Sequence, residues 1–144
     1  MSVPLLGSES KGLSNSFFMP HSLNFIVGWW LILAAFVSGA VIGLGFHRED
    51  FLGGYTSFRR RLLRLGHIAL AALGMLNVVY GLSPRPTDTA RLASLAGPLL
   101  LGGALAMPLV CFLSAWRESF RHLFVIPVVL LISAVILIIL GVSS

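Results

Sequence analysis

Two histidines stand just behind arginines in otherwise apolar surroundings. His67 follows Arg64 in "RLGHI" and His122 follows Arg121 in "FRHLF". Imidazole nitrogen is a normal axial ligand for haem iron, and the core of a helix bundle is a normal place for a cofactor. Two imidazoles at one depth on facing helices can hold a flat haem from both sides. Arg60, Arg64 and Arg121, with Arg59, Arg61 and Arg117, would then be propionate partners at the membrane surface. The competing reading places both histidines at a membrane interface, meeting water and lipid phosphate. An ionisable residue within a membrane is a functional candidate only if it faces the protein interior.

The other chemistry on offer is sparse. Glu9, Glu49, Asp50, Asp88 and Glu118 all fall outside the apolar runs. No buried carboxylate is therefore expected for proton-coupled transport. There is no paired-carboxylate site, no Ser-His-Asp set and no phosphate loop, which argues against a soluble-type enzyme. His47, Glu49 and Asp50, with His122, are possible divalent-metal ligands, but their spacing matches no zinc motif. Cys111 is a lone cysteine, so the chain forms no internal disulfide and no cysteine-based zinc site. Asn77 and Tyr80 can hydrogen-bond a neighbouring helix. His21, beside Ser22 and Asn24, suits a helix start better than ligation.

The elements that must position these residues follow from composition. Of 144 residues, 57% are hydrophobic and 10% charged, against about 25% charged in a soluble domain. That is too few charges for a water-facing surface, and a lipid-facing surface needs none. The net charge of +5 sits beside apolar runs. It suits anionic lipid headgroups and speaks against nucleic acid.

Four runs, at about 23–46, 62–82, 92–116 and 120–142, each reach the ~20 residues a helix needs to cross a bilayer. None shows the alternation of a membrane strand. The expected fold is an all-α, up-down, four-helix membrane bundle over 23–144, behind a polar tail at 1–22. Gly53-Gly54 predicts a turn, with Thr56 or Ser57 capping the next helix. Residues Ser83–Thr89 hold strong helix breakers, and Arg117–Ser119 is a very short link. Pro98, Pro108 and Pro127 fall within the third and fourth runs, where each removes a backbone bond and can bend its helix. Ala35, Gly39 and Gly43 form a small-residue stripe, and Gly102 and Ala106 repeat the spacing. His67 shares a face with Ala71, Gly74, Val78 and Gly81, which suits either an inserted ring or tight helix contact.

Arg48, Arg59, Arg60, Arg61, Arg64, Arg117 and Arg121 fall at one end of the bundle, against Lys11, Arg85 and Arg91 at the other. The positive-inside rule then puts both termini outside. In an up-down bundle the second and fourth helices are diagonal. Counted from the arginines, His67 and His122 match in depth within about one helical turn of ~5.4 Å.

Paired histidines on the second and fourth helices of such a bundle resemble one four-helix half of haem A synthase-type membrane proteins. The resemblance rests on helix order and on "RLGHI" and "FRHLF", and it covers the four-helix region. It implies haem b held by His67 and His122. It does not extend to synthase activity: no acidic residue adjoins either histidine, there is one bundle, and the arginines put the pair on the cytoplasmic side.

Three functions compete. The first is a small accessory or structural component of a membrane complex, meeting lipid and either a membrane-protein partner or a second copy of itself. The second is a b-type haem-binding or haem-handling protein. The third is a small transporter or channel subunit. Small size and compact links suggest a prokaryotic inner membrane.

Overall fold

The computed structural model describes residues 19–54, 56–83 and 90–143. Of the expected tail at 1–22, residues 1–18, with Lys11, lie outside the described residues, as does the link at 84–89, with Arg85; residues 19–22 belong to the first helix and not to the tail. The side chain of His21 also lies outside the described residues.

Four helices carry the described chain: α1 (Met19–Gly45), α2 (Phe58–Leu82), α3 (Ala90–Trp116) and α4 (Val125–Ser143). A 3-10 turn at Phe51–Gly53 joins the first pair, and a 3-10 segment at Glu118–Phe124 precedes α4. Each of the four stretches is long and apolar enough to cross a membrane, the 3-10 segment counting with α4. The chain is therefore an all-helical integral membrane protein. Helix is the required form, since lipid offers no partners to free backbone groups.

Three helix starts differ from the expected spans. The first helix begins at Met19 and not Leu23. The second begins at Phe58, four residues before the expected span and where the expected Ser57 cap puts it. Ser57 caps it there, its hydroxyl accepting from Arg60 N–H at 3.3 Å. Arg59, Arg60, Arg61 and Arg64 thus lie on the helix itself. The fourth α-helix begins at Val125 rather than near Phe120. Pro127 sets this start: its ring would press on the carbonyl of Leu123 in any α-helix running through both. In the first turn, where its missing N–H is no loss, proline is tolerated. Pro127 is thus a start signal and not an interior bend, whereas Pro98 and Pro108 do lie inside α3.

The expected turn at Gly53-Gly54 is present. Gly53 and Gly54 both have φ +88°, and Leu52 before them has φ +57°. A leucine held there is strained by about 1–2 kcal/mol.

Helices α1, α2 and α3 pack together, each touching the other two, while α4 packs chiefly on α3. Along α1 and α2 the partners run in opposite order: Asn24 with Asn77, Gly28 with Gly74, Gly39 with His67. The two helices are therefore antiparallel. Contact is closest at Gly28 and Gly74, where a Cβ on either would come within 2.9 Å of the other's carbonyl oxygen. Absent side chains let the two backbones meet. Gly66 likewise admits Phe112 and Cys111 of α3, and Gly103 admits Leu131 of α4. The central core is Leu31, Ala35, Leu70 and Ala104. Side contacts of α4 with α1 or α2 are at most isolated, so the bundle is open along that flank.

Candidate functional site

Polar side chains gather at three levels of the α1–α2 pair. At one end, Asn24 is 1% exposed and Asn77 is fully buried. Asn24 Nδ2 donates to Asn77 Oδ1 at 2.8 Å and to the Gly97 carbonyl of α3 at 3.1 Å. Asn77 Nδ2 donates to the Leu73 carbonyl at 2.8 Å. One amide group thus ties three helices, and Gly97 leaves room for it beside Tyr80. Asn24 Oδ1 is left without a hydrogen-bond partner.

At the middle level His67 is half-buried between α1 and α2. Ser38 Oγ donates to the Ala35 carbonyl at 3.0 Å and lies 3.3 Å from His67 Nδ1. A hydroxyl has one proton. Where that proton is on Ala35, the Ser38 oxygen can only accept from His67 Nδ1. The ring's Cε1 edge faces Gly39, where an added Cβ would stand 2.7 Å from it. The small-residue faces singled out in the sequence therefore serve tight contact here: Gly74 meets α1, and Gly39 seats a ring. Gly43, third in the stripe, has nothing within 4 Å of its Cβ position.

At the far end lies a cationic closure. Arg60 is 3% exposed. Its Nη2 donates to the Arg48 carbonyl at 2.7 Å, and its Cζ lies 4.9 Å from the Phe46 ring centroid and 5.9 Å from that of Phe51. Arg64 Cζ is also 4.9 Å from the Phe46 centroid. Phe46 and Phe51 meet edge to face at 6.2 Å. Cation–π contacts contribute roughly 0.5–1 kcal/mol when exposed and about 2 when desolvated. They explain how a buried guanidinium is held with no carboxylate among its contacts. Arg60 Nε is without a hydrogen-bond partner. Four arginines in the first two turns of α2 also oppose the helix dipole, by about 0.3–1 kcal/mol each at an exposed site.

The two histidines expected to share a haem stand on elements that meet at most at isolated residues. His67 points its Nδ1 edge at α1, nine residues into α2. His122 is exposed on the 3-10 segment, three residues before α4 begins, and α2 and α4 meet at most at isolated residues. Arg121 is exposed beside it, and Arg60 is engaged within the turn. Among the described residues no three His, Cys, Asp or Glu side chains converge as a metal site, so His47, Glu49 and Asp50 do not gather with His122. Cys111 is a buried free thiol.

Sequence reading identified Asn77 but not its partner. Asn24, inside the expected first span, enters that reading only as a neighbour of His21. An asparagine in each of two adjacent spans was the available signal. Comparison with protein-family models, with curated proteins and with solved structures returns no match.

Proposed function

We propose that this protein is an accessory or structural component of a membrane complex. The arginine-rich end of α2 faces the cytoplasm, and both termini face the opposite side, in a prokaryotic inner membrane. The observation that carries the reading is the open flank. Helices α1, α2 and α3 bury one another around a common core, while α4 stands out on α3 and is the least buried of the four spans. Ile132 and Ile136 of α4 are 55% and 51% exposed. A flank of this shape receives a helix from another subunit or from a second copy.

A photocrosslinking amino acid at Ile132 or Ile136, irradiated in native membranes, tests this. A discrete protein adduct is expected there and not at Val41 of α1, which is 64% exposed. Lipid adducts alone at all three positions would remove the support for a partner.

Haem binding is the second reading. One observation favours it: His67 is half-buried within the helix bundle, where a cofactor ligand would stand. An absorption spectrum of protein expressed with ample haem tests it. Reduced α and β bands lost in His67→Ala and in His122→Ala would establish haem b on both residues and displace the accessory reading. A colourless protein would end the haem reading.

A further inference from the structure

A groove of about 340 Å³ opens between α2 and α3 at their arginine-rich end. It is lined by Leu52, Arg59, Leu63, Phe112, Ala115 and Trp116. Its volume falls in the ~300–1,000 Å³ range of small-ligand sites. Five of the six lining residues are apolar or aromatic, and the sixth is a cation. Arg59 is exposed and is engaged by no other described residue, unlike Arg60 next to it. Trp116 is 84% exposed, at a helix end where tryptophan marks the membrane–water boundary. Leu52, the one non-glycine residue with positive φ among the described residues, forms a wall of this groove. The positive end of the α2 dipole adds to the Arg59 charge.

We propose that this groove holds one anionic phospholipid. Its phosphate pairs with Arg59 at the rim. The upper part of an acyl chain lies along Leu63, Phe112 and Ala115, between Leu52 and Trp116. Charge complementarity selects an anionic headgroup, and the apolar lining selects a lipid over a free phosphate. The site is independent of any protein partner on α4.

The full chain carries three tryptophans, so Trp29→Phe with Trp30→Phe leaves Trp116 as sole reporter. This protein is reconstituted in phosphatidylcholine vesicles containing phosphatidylglycerol, with bromine placed on one lipid or the other. Brominated phosphatidylglycerol is expected to quench Trp116 with an apparent affinity about five-fold above that of brominated phosphatidylcholine, the preference one arginine gives near an anionic surface. Arg59→Gln should bring the ratio to about one, and Arg59→Lys should keep most of it. Arg121→Gln, an exposed arginine that does not line the groove, should leave it unchanged.

Equal quenching by the two lipids in the parent protein would overturn the proposal. So would a preference that survives Arg59→Gln, or one lowered equally by Arg121→Gln, which would reveal only a diffuse basic surface. Loss of the preference on adding inorganic phosphate at constant ionic strength would assign Arg59 to a free anion and overturn it as well.

Discussion

The Asn24–Asn77 pair allows the polar tie between α1, α2 and α3 to be measured directly. Leucine shares the branched shape of asparagine and carries no polar atom, so each replacement removes hydrogen bonds, and its bulkier methyl groups add crowding that the double-variant cycle must separate from the pair's own coupling. Asn24→Leu forfeits two bonds, of 2.8 and 3.1 Å, and leaves Asn77 Oδ1 without its donor. Asn77→Leu removes only the first of these between helices, and Asn24 Nδ2 stays on the Gly97 carbonyl. Asn77→Leu also forfeits the 2.8 Å bond to the Leu73 carbonyl, so each single replacement loses two bonds and leaves one amide of the pair without its partner. Replacing both removes the orphaned atoms together, which can be nearly neutral where one replacement alone is not.

Interhelical hydrogen bonds in membrane proteins average about 0.6 kcal/mol and reach about 1.7. Both amides here are at most 1% exposed, and one donor group serves two acceptors, so this pair belongs in the upper half of that range. The expected coupling is about 1–1.7 kcal/mol, or about five- to eighteen-fold in the unfolding equilibrium. Reversible unfolding in mixed micelles of the parent, both single variants and the double variant gives the coupling energy. A value under about 0.3–0.5 kcal/mol is what independent residues show, and it would refute the tie.

Other positions divide as sharply. Gly74→Leu places a side chain on the Gly28 backbone and should destabilise by about 1–3 kcal/mol or more in the same unfolding assay. Gly39→Leu, driven into the His67 ring, should behave alike, while Gly43→Leu, facing open space, should stay within about 0.5 kcal/mol. Arg60→Ala should cost about 2 kcal/mol, from its charged hydrogen bond and ring contacts. Arg61→Ala, at an exposed site, should fall within about 0.5 kcal/mol.

Four spans were legible because length and apolarity alone settle what crosses a bilayer. Ser57 and the Gly53-Gly54 turn were legible because caps and positive φ are local matters. Packing partners were not. Gly28, Gly39, Gly43 and Gly74 look alike in the sequence, yet two of them meet backbone to backbone, one seats an imidazole and one faces open space. Which it is depends on how two helices cross. The matched depths of His67 and His122 were counted from nearby arginines. That count took both segments to be continuous α-helix from similar starting points. Ser57 starts α2 four residues early, and Pro127 delays the fourth α-helix past His122. The two histidines thus stand on different kinds of backbone.

The α1–α2 pair is closed by neutral amides at one end and by a guanidinium on aromatic rings at the other. The difference bears on orientation. An amide tie leaves no net charge, so the Asn24 end is free to be drawn across the bilayer. The Arg60 closure has no carboxylate among its contacts and stays positive. On the proposed orientation, part of the orienting signal would be built into the packing, and the arginines would separate by role. Removing Arg61 or Arg59 weakens the positive bias and leaves the turn intact. Removing Arg60 weakens the same bias and takes the Arg48–Phe46–Phe51 turn with it. A chain stripped of its exposed arginines should keep its fold while its orientation becomes mixed, as a cysteine-accessibility assay on the two loop ends would read. Arg60→Ala alone should do the reverse, loosening the turn with little change of orientation.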